Sequence, residues 1–297
     1  MAATSGTQPA ESQRPQTSGA APSAGRDAGS AAPAPKVATA PAPGAAGARP
    51  RPVLGVDIGG SGIKGAPVDL GRGDLAEERH KVLTPRPATP EAVVECVAEV
   101  VGHFAWTRPL GVTFPGVVTD GTTRTAANVD PGWIGRDTRA LLADRLGLPV
   151  TVLNDADAAG VAEMAFGAGR GRRGTVIVLT LGTGIGSAVF TDGHLVPNTE
   201  LGHLELDGHD AETRAAGRVK DEEGMKWAQW SRRLERYLRH VEMLFSPELF
   251  ILGGGISRKA HKFLPRIEGV RAEMVPAELK NNAGIVGAAM TAAAAAR

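Results

Sequence analysis

The chain has 297 residues, 42% of them apolar and 22% charged, with 33 basic side chains against 32 acidic ones. A balance so close to neutral excludes recognition of nucleic acid on charge alone. The average joins two unlike polymers, because 39 of the first 50 residues are Ala, Pro, Gly, Ser or Thr and none of the 50 is aromatic.

Such a segment buries too little apolar surface to offset the entropy of ordering its backbone, so residues 1–50 are expected to form a disordered Ala/Pro-rich tail. Its own net charge is +2, which leaves −1 on the remaining 247 residues. Met1 to Ala21 contains no apolar run of the roughly 7 to 15 residues that a secretory signal needs, and nothing approaches the ~20 apolar residues of a membrane span. Cys96 is the only cysteine, so no intrachain disulfide exists. The expectation is a cytoplasmic protein that keeps clear of membranes, with Cys96 a small buried hydrophobe on a helix.

From Pro52 the pattern changes. PVLGVDI reads as a strand, GGSG as a turn and IKGAPVDL as a returning strand, a hairpin with a glycine tip. Apolar residues at helical spacing run from Pro90 to Phe104, with Thr89 as cap and Pro90 at the first helical position. LGVTFPGVV is a strand ending in Pro-Gly, followed by a polar stretch containing NVDPGW. Thr138 to Leu146 reads as a helix stopped by Gly147. PVTVLN is a short apolar strand that runs directly into the helix NDADAAGVAEMAFGAG.

The second half begins as the first does. TVIVLTLGTGIGSAVFTDG aligns on VLGVDIGGSGIKGAPVDLG with one gap, placing Asp57 over Thr180, Gly59 over Gly182, Gly62 over Gly184 and Ile63 over Ile185. A glycine hairpin repeated about 122 residues apart implies two similar α/β halves flanking a cleft. Later come a long helix within Gly224 to Phe245, the strand and turn ELFILGGGIS, and an alanine-rich terminal helix after NNAG.

Three clusters carry chemistry. Glycine tips let backbone N–H groups converge on phosphate, so Gly59, Gly60, Ser61 and Gly62, and again Gly182, Thr183 and Gly184, are candidate phosphate loops flanked by Asp57, Lys64 and Thr180. Asp57, at a strand end, is also a candidate partner for Mg²⁺, directly or through water. In LNDAD, Asn154 and Asp155 stand where a strand meets a helix, the place where α/β proteins bind ligands. They either cap the helix or act on a substrate: Asp155 accepting a hydroxyl proton, Asn154 pairing with a polyol. In TELGHLELDGHD, Glu200, His203 and Glu205 suit either neighbouring sugar hydroxyls or zinc, although no cysteine is nearby.

The order DIGGSGIK, NVDPGW, NDAD, LTLGTGIG, ELGH and LGGGIS resembles the ROK family of sugar kinases, within the actin-like ATPase superfamily, from Val53 to Ala289. The resemblance implies an α/β fold of two actin-like, ribonuclease H-like domains flanking a central cleft. The expected division is 51–154 and 155–282, with the terminal helix 283–297 completing the first domain. It further implies transfer of a phosphoryl group from polyphosphate and/or ATP, with Mg²⁺, to the 6-hydroxyl of glucose. Asp155 would be the base, with Asn128, Asn154, Glu200, His203 and Glu205 holding the other hydroxyls. Asp57 to Lys64 and Leu181 to Gly186 would cradle phosphate, and Gly253, Gly254 and Gly255 would line a nucleotide pocket. A homodimer is likewise implied. Many family members bear a cysteine-rich zinc site after their Glu-x-Gly-His motif, and this chain has no Cys there, so structural zinc is not expected.

A polyphosphate chain calls for cations along a groove. The sequence offers Lys64, the loop residues Arg170, Arg172 and Arg173, and the helix bearing Lys226, Arg232, Arg233, Arg236 and Arg239, where Trp230, Leu234, Leu238 and Val241 form the apolar stripe. An ATP-dependent kinase for another hexose, such as fructose, mannose or N-acetylmannosamine, is the neighbouring alternative. A sugar-responsive transcriptional regulator is a more distant one, since residues 1–50 lack the periodicity of a helix-turn-helix.

Overall fold

The computed structural model describes residues 51–126 and 129–296, so the tail of residues 1–50 and the candidate Asn128 lie outside the described residues. Strand β1 (Val53–Gly59) buries Leu54, Val56 and Ile58 completely on one face, as a period of two requires. It turns back into antiparallel β2 (Gly62–Asp69), with Asp57 opposite Lys64. The short β3 (Asp74–Leu75) and β4 (His80–Val82) both pair with β2.

Helix α1 (Pro90–His103) begins where its signals predict, because the Thr89 hydroxyl oxygen accepts the Ala92 N–H at 3.3 Å. Cys96 on this helix is only partly buried, less so than the sequence suggested. Strand β5 (Leu110–Phe114) runs parallel to β1, and a small hairpin of β6 (Val118–Thr119) and β7 (Thr122–Thr123) follows. After α2 (Thr138–Leu146), β8 (Val150–Asn154) joins β5 in parallel.

The second half opens with α3 (Asp155–Phe166) and the antiparallel hairpin β9 (Thr175–Leu181) and β10 (Ile185–Thr191), extended by β11 (His194–Val196). A ribbon of β12 (Glu205–Leu206) and β13 (His209–Asp210) leads to the short helices α4 (Glu212–Ala215) and α5 (Gly217–Glu222). Helix α6 (Trp227–Phe245) follows, then β14 (Leu249–Gly253), β15 (Glu273–Pro276) and α7 (Ala283–Ala295). The strand orders are β3-β2-β1-β5-β8 and β11-β10-β9-β14-β15. In both sheets an antiparallel hairpin carries two further parallel strands on its first strand. The repeated glycine hairpin is thus the visible part of a repeated sheet.

Strand β9 shows how the layers form. Val176 and Val178 face a core shared with α3 and α7, while Ile177, Leu179 and Leu181 face Trp230, Leu234, Leu238 and Val241 of α6. The stripe read from the α6 sequence is therefore its buried face, and all four residues are fully buried. Helix α7 packs on β1 and β5 of the first sheet and on α3. Its small residues permit backbone contact: a Cβ on Gly287 would lie 1.9 Å from the Ala158 carbonyl oxygen of α3, and one on Gly55 of β1 would lie 1.9 Å from the Ile285 carbonyl oxygen. Among the described residues no helix is long and apolar enough to cross a membrane.

These contacts predict that Gly287→Ala lowers stability by about 3 kcal/mol through overpacking. Gly102→Ala, on α1 with nothing within 4 Å of the new methyl group, raises it by about 0.5 kcal/mol by lowering the entropy of the unfolded chain. Urea unfolding of both variants checks the pair; equal effects would exclude the backbone contact as the reason for the glycine.

Candidate active site

The β8–α3 junction sets the chemistry. The two readings of the Asn-Asp pair divide between its members. Asn154 is the N-cap, its Oδ1 accepting the N–H groups of Ala156 at 2.8 Å and Asp157 at 3.0 Å. Its Nδ2 remains free to donate to the Gly116 carbonyl at 3.1 Å and to approach Glu200 Oε1 at 3.5 Å. Asp155, the first residue of α3, lines a cleft of about 850 Å³. Burial pushes its carboxyl up to about 7, and the neighbouring Asp57, Glu200 and Asp157 carboxylates act the same way against the Ala156 N–H, which donates to Oδ1 at 2.8 Å. A carboxyl with such a value is poised to take up or release a proton near neutrality.

The two glycine tips bound this cleft. Gly60 and Ser61 line it from the first hairpin, and Thr180, Gly182, Thr183 and Gly184 from the second, with Gly254 beside them. Gly254 has φ 78°, a conformation that glycine adopts freely, and its position against the Leu181 backbone leaves no room for a side chain. Asp57, Gly59, Gly62 and Lys64 stand behind the first tip. Lys64 Nζ lies 2.9 Å from Asp57 Oδ2, and the Thr113 hydroxyl donates to Asp57 Oδ1 at 2.7 Å. Gly253 ends β14, and Gly255 lines a second cavity of about 310 Å³.

Glu200 and His203 also line the cleft. Burial raises the Glu200 carboxyl above its ordinary value. His203 Nδ1 lies 2.8 Å from Asp210 Oδ2, and this hydrogen bond raises the imidazole above its usual value. A carboxylate thus orients the ring. Glu205 is placed differently from the expectation: it is exposed on β12 and does not line the cleft, whereas Glu212 does, accepting the Ile185 N–H at 3.0 Å. The signal that separates them is the Asp207-Gly208 pair, a hairpin turn that sets Glu205 opposite Asp210 and returns the chain toward the cleft at α4.

Sequence reasoning also missed Thr84 to Ala88 and Pro115–Gly116, which form the remaining wall together with Thr125, Ala126, Val129 and Asp130. The Thr84 hydroxyl donates to the Gly59 carbonyl at 2.5 Å, which ties that wall to the first tip. Several cations proposed for a polyanion groove are instead bonded to carboxylates: Arg172 to Glu273, Arg233 to Glu223 and Arg236 to Asp207. The second cavity shares Gly182 and Thr183 with the cleft and brings Arg218 and Lys259 together with Trp227 and Ile256.

Two sheets of one topology, each presenting a glycine tip to a shared cleft with an acid at its base, define the actin-like class of phosphotransferases. A model of the ROK family matches residues 53–223, and the chain belongs to that family. The polyphosphate glucokinase of Mycobacterium tuberculosis (strain CDC 1551 / Oshkosh) is 55% identical over 242 residues, which cover 81% of this chain and 91% of that protein. The crystal structure of the inorganic polyphosphate/ATP-glucomannokinase from Arthrobacter sp. strain KM superposes with a TM-score of 0.80 at 56% identity, covering 82% of this chain and 99% of that one. A ROK family glucokinase from Streptomyces griseus, in complex with glucose and AMPPNP, gives a TM-score of 0.70 at 27% identity, covering 82% and 99%.

A carboxyl moved from 3.8 to about 7 disfavours its ionised form in the folded protein by about 4 kcal/mol. Because the folded state then binds more protons than the unfolded one between these values, Asp155 makes stability fall as pH rises from about 4 to about 7. Asp155→Asn is accordingly predicted to raise the melting temperature at pH 8 and to raise it less at pH 5. Calorimetry at the two values checks this, and an unchanged or lowered melting temperature at pH 8 would count against a desolvated carboxylate.

Proposed function

We propose that this protein is a glucokinase that transfers the terminal phosphoryl group of inorganic polyphosphate or ATP to the 6-hydroxyl of glucose. The observation that carries this reading is the Asp155 carboxyl, held near neutrality in a cleft bounded by two glycine tips. The names of the relatives in M. tuberculosis and Arthrobacter support both the acceptor and the two donors.

In this reading Glu200, His203 and Asn154 hold sugar hydroxyls, and Glu212 joins them in the place first given to Glu205. Asn128 is kept as a sugar contact on the family resemblance alone. The ionised Asp155 removes the proton of the 6-hydroxyl as the new O–P bond forms and the bond from phosphorus to the donor's bridging oxygen breaks. The products are glucose 6-phosphate and either ADP or a polyphosphate one residue shorter. Phosphoryl transfer needs little covalent assistance, so alignment of donor and acceptor supplies most of the rate.

Mg²⁺ bound with the donor would neutralise phosphate charge. The donor set fits such an ion: Asp57 is a partly accessible carboxylate at the cleft end of β1, with one hydrogen bond or ion pair on each oxygen. Magnesium retains several waters, so Asp57 is assigned to the ion through water. The cavity beyond Gly182 and Thr183 takes the far part of either donor, with Trp227 and Ile256 against a base and Arg218 and Lys259 against phosphate. The glucomannokinase relative makes mannose a second acceptor to examine.

The protein with Mg²⁺ is predicted to phosphorylate glucose from both donors in a coupled assay; activity from ATP alone would exclude the polyphosphate half. Asp155→Asn is expected to lower kcat by about 10²- to 10⁴-fold, the range of a lost general base, with glucose affinity by calorimetry little changed. The wild-type kcat/KM should rise with pH and level off above about 7, as Asp155 loses its proton. An acid limb lying near 4 would assign the base elsewhere.

A further inference from the structure

Behind the cleft lies a group of residues that does not itself line it. Asp157, one position beyond the Ala156 that follows the base, is 3% exposed. Its Oδ2 accepts the Asn198 N–H at 2.8 Å, whereas its Oδ1 has no hydrogen-bond partner among the described residues. Asn198 has φ 57°, a left-handed conformation that asparagine tolerates better than most residues. Its side-chain amide pairs with one residue of the first half as a strand would: Oδ1 accepts the Val118 N–H at 3.0 Å and Nδ2 donates to the Val118 carbonyl at 2.9 Å.

What lies on either side of these bonds gives them meaning. Glu200 follows Asn198 by two residues. The next residue, Leu201, is held from below by the Ser187 hydroxyl, which accepts its N–H at 2.9 Å. Glu200 therefore sits between two fixed points. Val118 follows the Pro115–Gly116 wall by two residues, and Gly116 is itself held by Asn154. One buried carboxylate at the start of α3 thus connects the base-bearing helix, the Glu200 loop and the opposite wall.

We propose that Asp157 and Asn198 form a latch across the two halves and are positioning residues for the acceptor: they set the distance between Glu200 and the Pro115–Gly116 wall, and with it the fit of the sugar. This rests on the reading of Glu200 as a sugar contact. The latch needs an oxygen acceptor at residue 157 and an amide at residue 198. It does not need the negative charge, which has no cationic partner and is costly to bury.

The test is steady-state kinetics of the full chain, with glucose and donor varied separately, beside melting temperatures. Asp157→Ala and Asn198→Ala are each expected to raise the glucose KM about tenfold, as expected for a hydrogen bond or two. The donor KM should stay within about twofold and kcat within about threefold. Asp157→Asn keeps the acceptor and is expected to return the glucose KM to within about twofold of wild type. The double variant Asp157→Ala/Asn198→Ala should be no worse than the worse single one, since one latch breaks only once. If Asn198→Ala does not fold, Asn198→Gly keeps the tolerance of positive φ while losing the amide, and should raise the glucose KM by about the same tenfold.

An unchanged glucose KM in folded Asn198 variants overturns the proposal. So does a defect in Asp157→Asn as large as that in Asp157→Ala, or an equal rise in glucose and donor KM. Wild-type turnover of glucose in the same assay tests the glucokinase reading separately, because the latch is judged only by the ratio of variant to wild type.

Discussion

The close approach of α7 to α3 and to β1 is the contact on which the site depends. At Gly287 and Gly55 peptide groups of neighbouring elements meet with no side chain between them, so the helices cannot shift without one backbone striking another. Protein interiors transmit such constraints because they are packed as densely as organic crystals. Helix α3 is held by α7 on one side and by β10 on the other, and its first residue is Asp155. The position of Asp155 is therefore fixed in part by backbone contacts among small residues, which is why the terminal helix is rich in alanine and glycine.

Against that rigid support stands a cleft assembled at an electrostatic cost. Asp57, Asp155, Asp157 and Glu200 lie close enough for their charges to interact, and burial raises Asp155 and Asp157 to about 7. Like charges and desolvation both oppose ionisation, so the fold maintains carboxyls in a state that would be relieved by neutral residues. Strain of this kind is characteristic of functional sites and is offset by stability elsewhere. A polyanionic donor entering such a cleft requires counter-charge; Lys259 and Arg218, the latter 3.6 Å from Glu222, line the neighbouring cavity together with Asp221. Net charge over the whole chain, near zero, reveals none of this, because opposite local fields cancel in the sum.

Much of the architecture was legible because it rests on neighbours in sequence. The Thr89 cap with Pro90, the Gly147 stop, the alternation in β1 and the stripe on α6 are all governed by interactions within a few residues. The duplicated hairpin was legible as a repeat, and it located both glycine tips. The ribbon of β12 and β13 and the short helices α4 and α5 were not read from the sequence. As a result Glu205 was placed in the site and Glu212, returned to the cleft by the Asp207-Gly208 turn, was not. The arginines misled for another reason: a cation looks alike in a sequence whether it faces a groove or a carboxylate, and Arg233 and Arg236 found partners in Glu223 and Asp207.

By itself, the sequence determined the family, the two repeated sheets and the junction that carries Asn154 and Asp155, since each depends on local pattern or on a motif held in order. Tertiary structure alone decided how those residues act. Asn154 became a cap with one spare donor because a helix starts at its neighbour and Gly116 lies opposite. Asp155 moved to about 7 because it is desolvated at the floor of the cleft and has the carboxyls of Asp57, Glu200 and Asp157 nearby. His203 gained its orientation from Asp210 across a hairpin. Protonation and hydrogen bonding depend on what surrounds an atom within a few ångströms, and those surroundings come from residues that are distant along the chain.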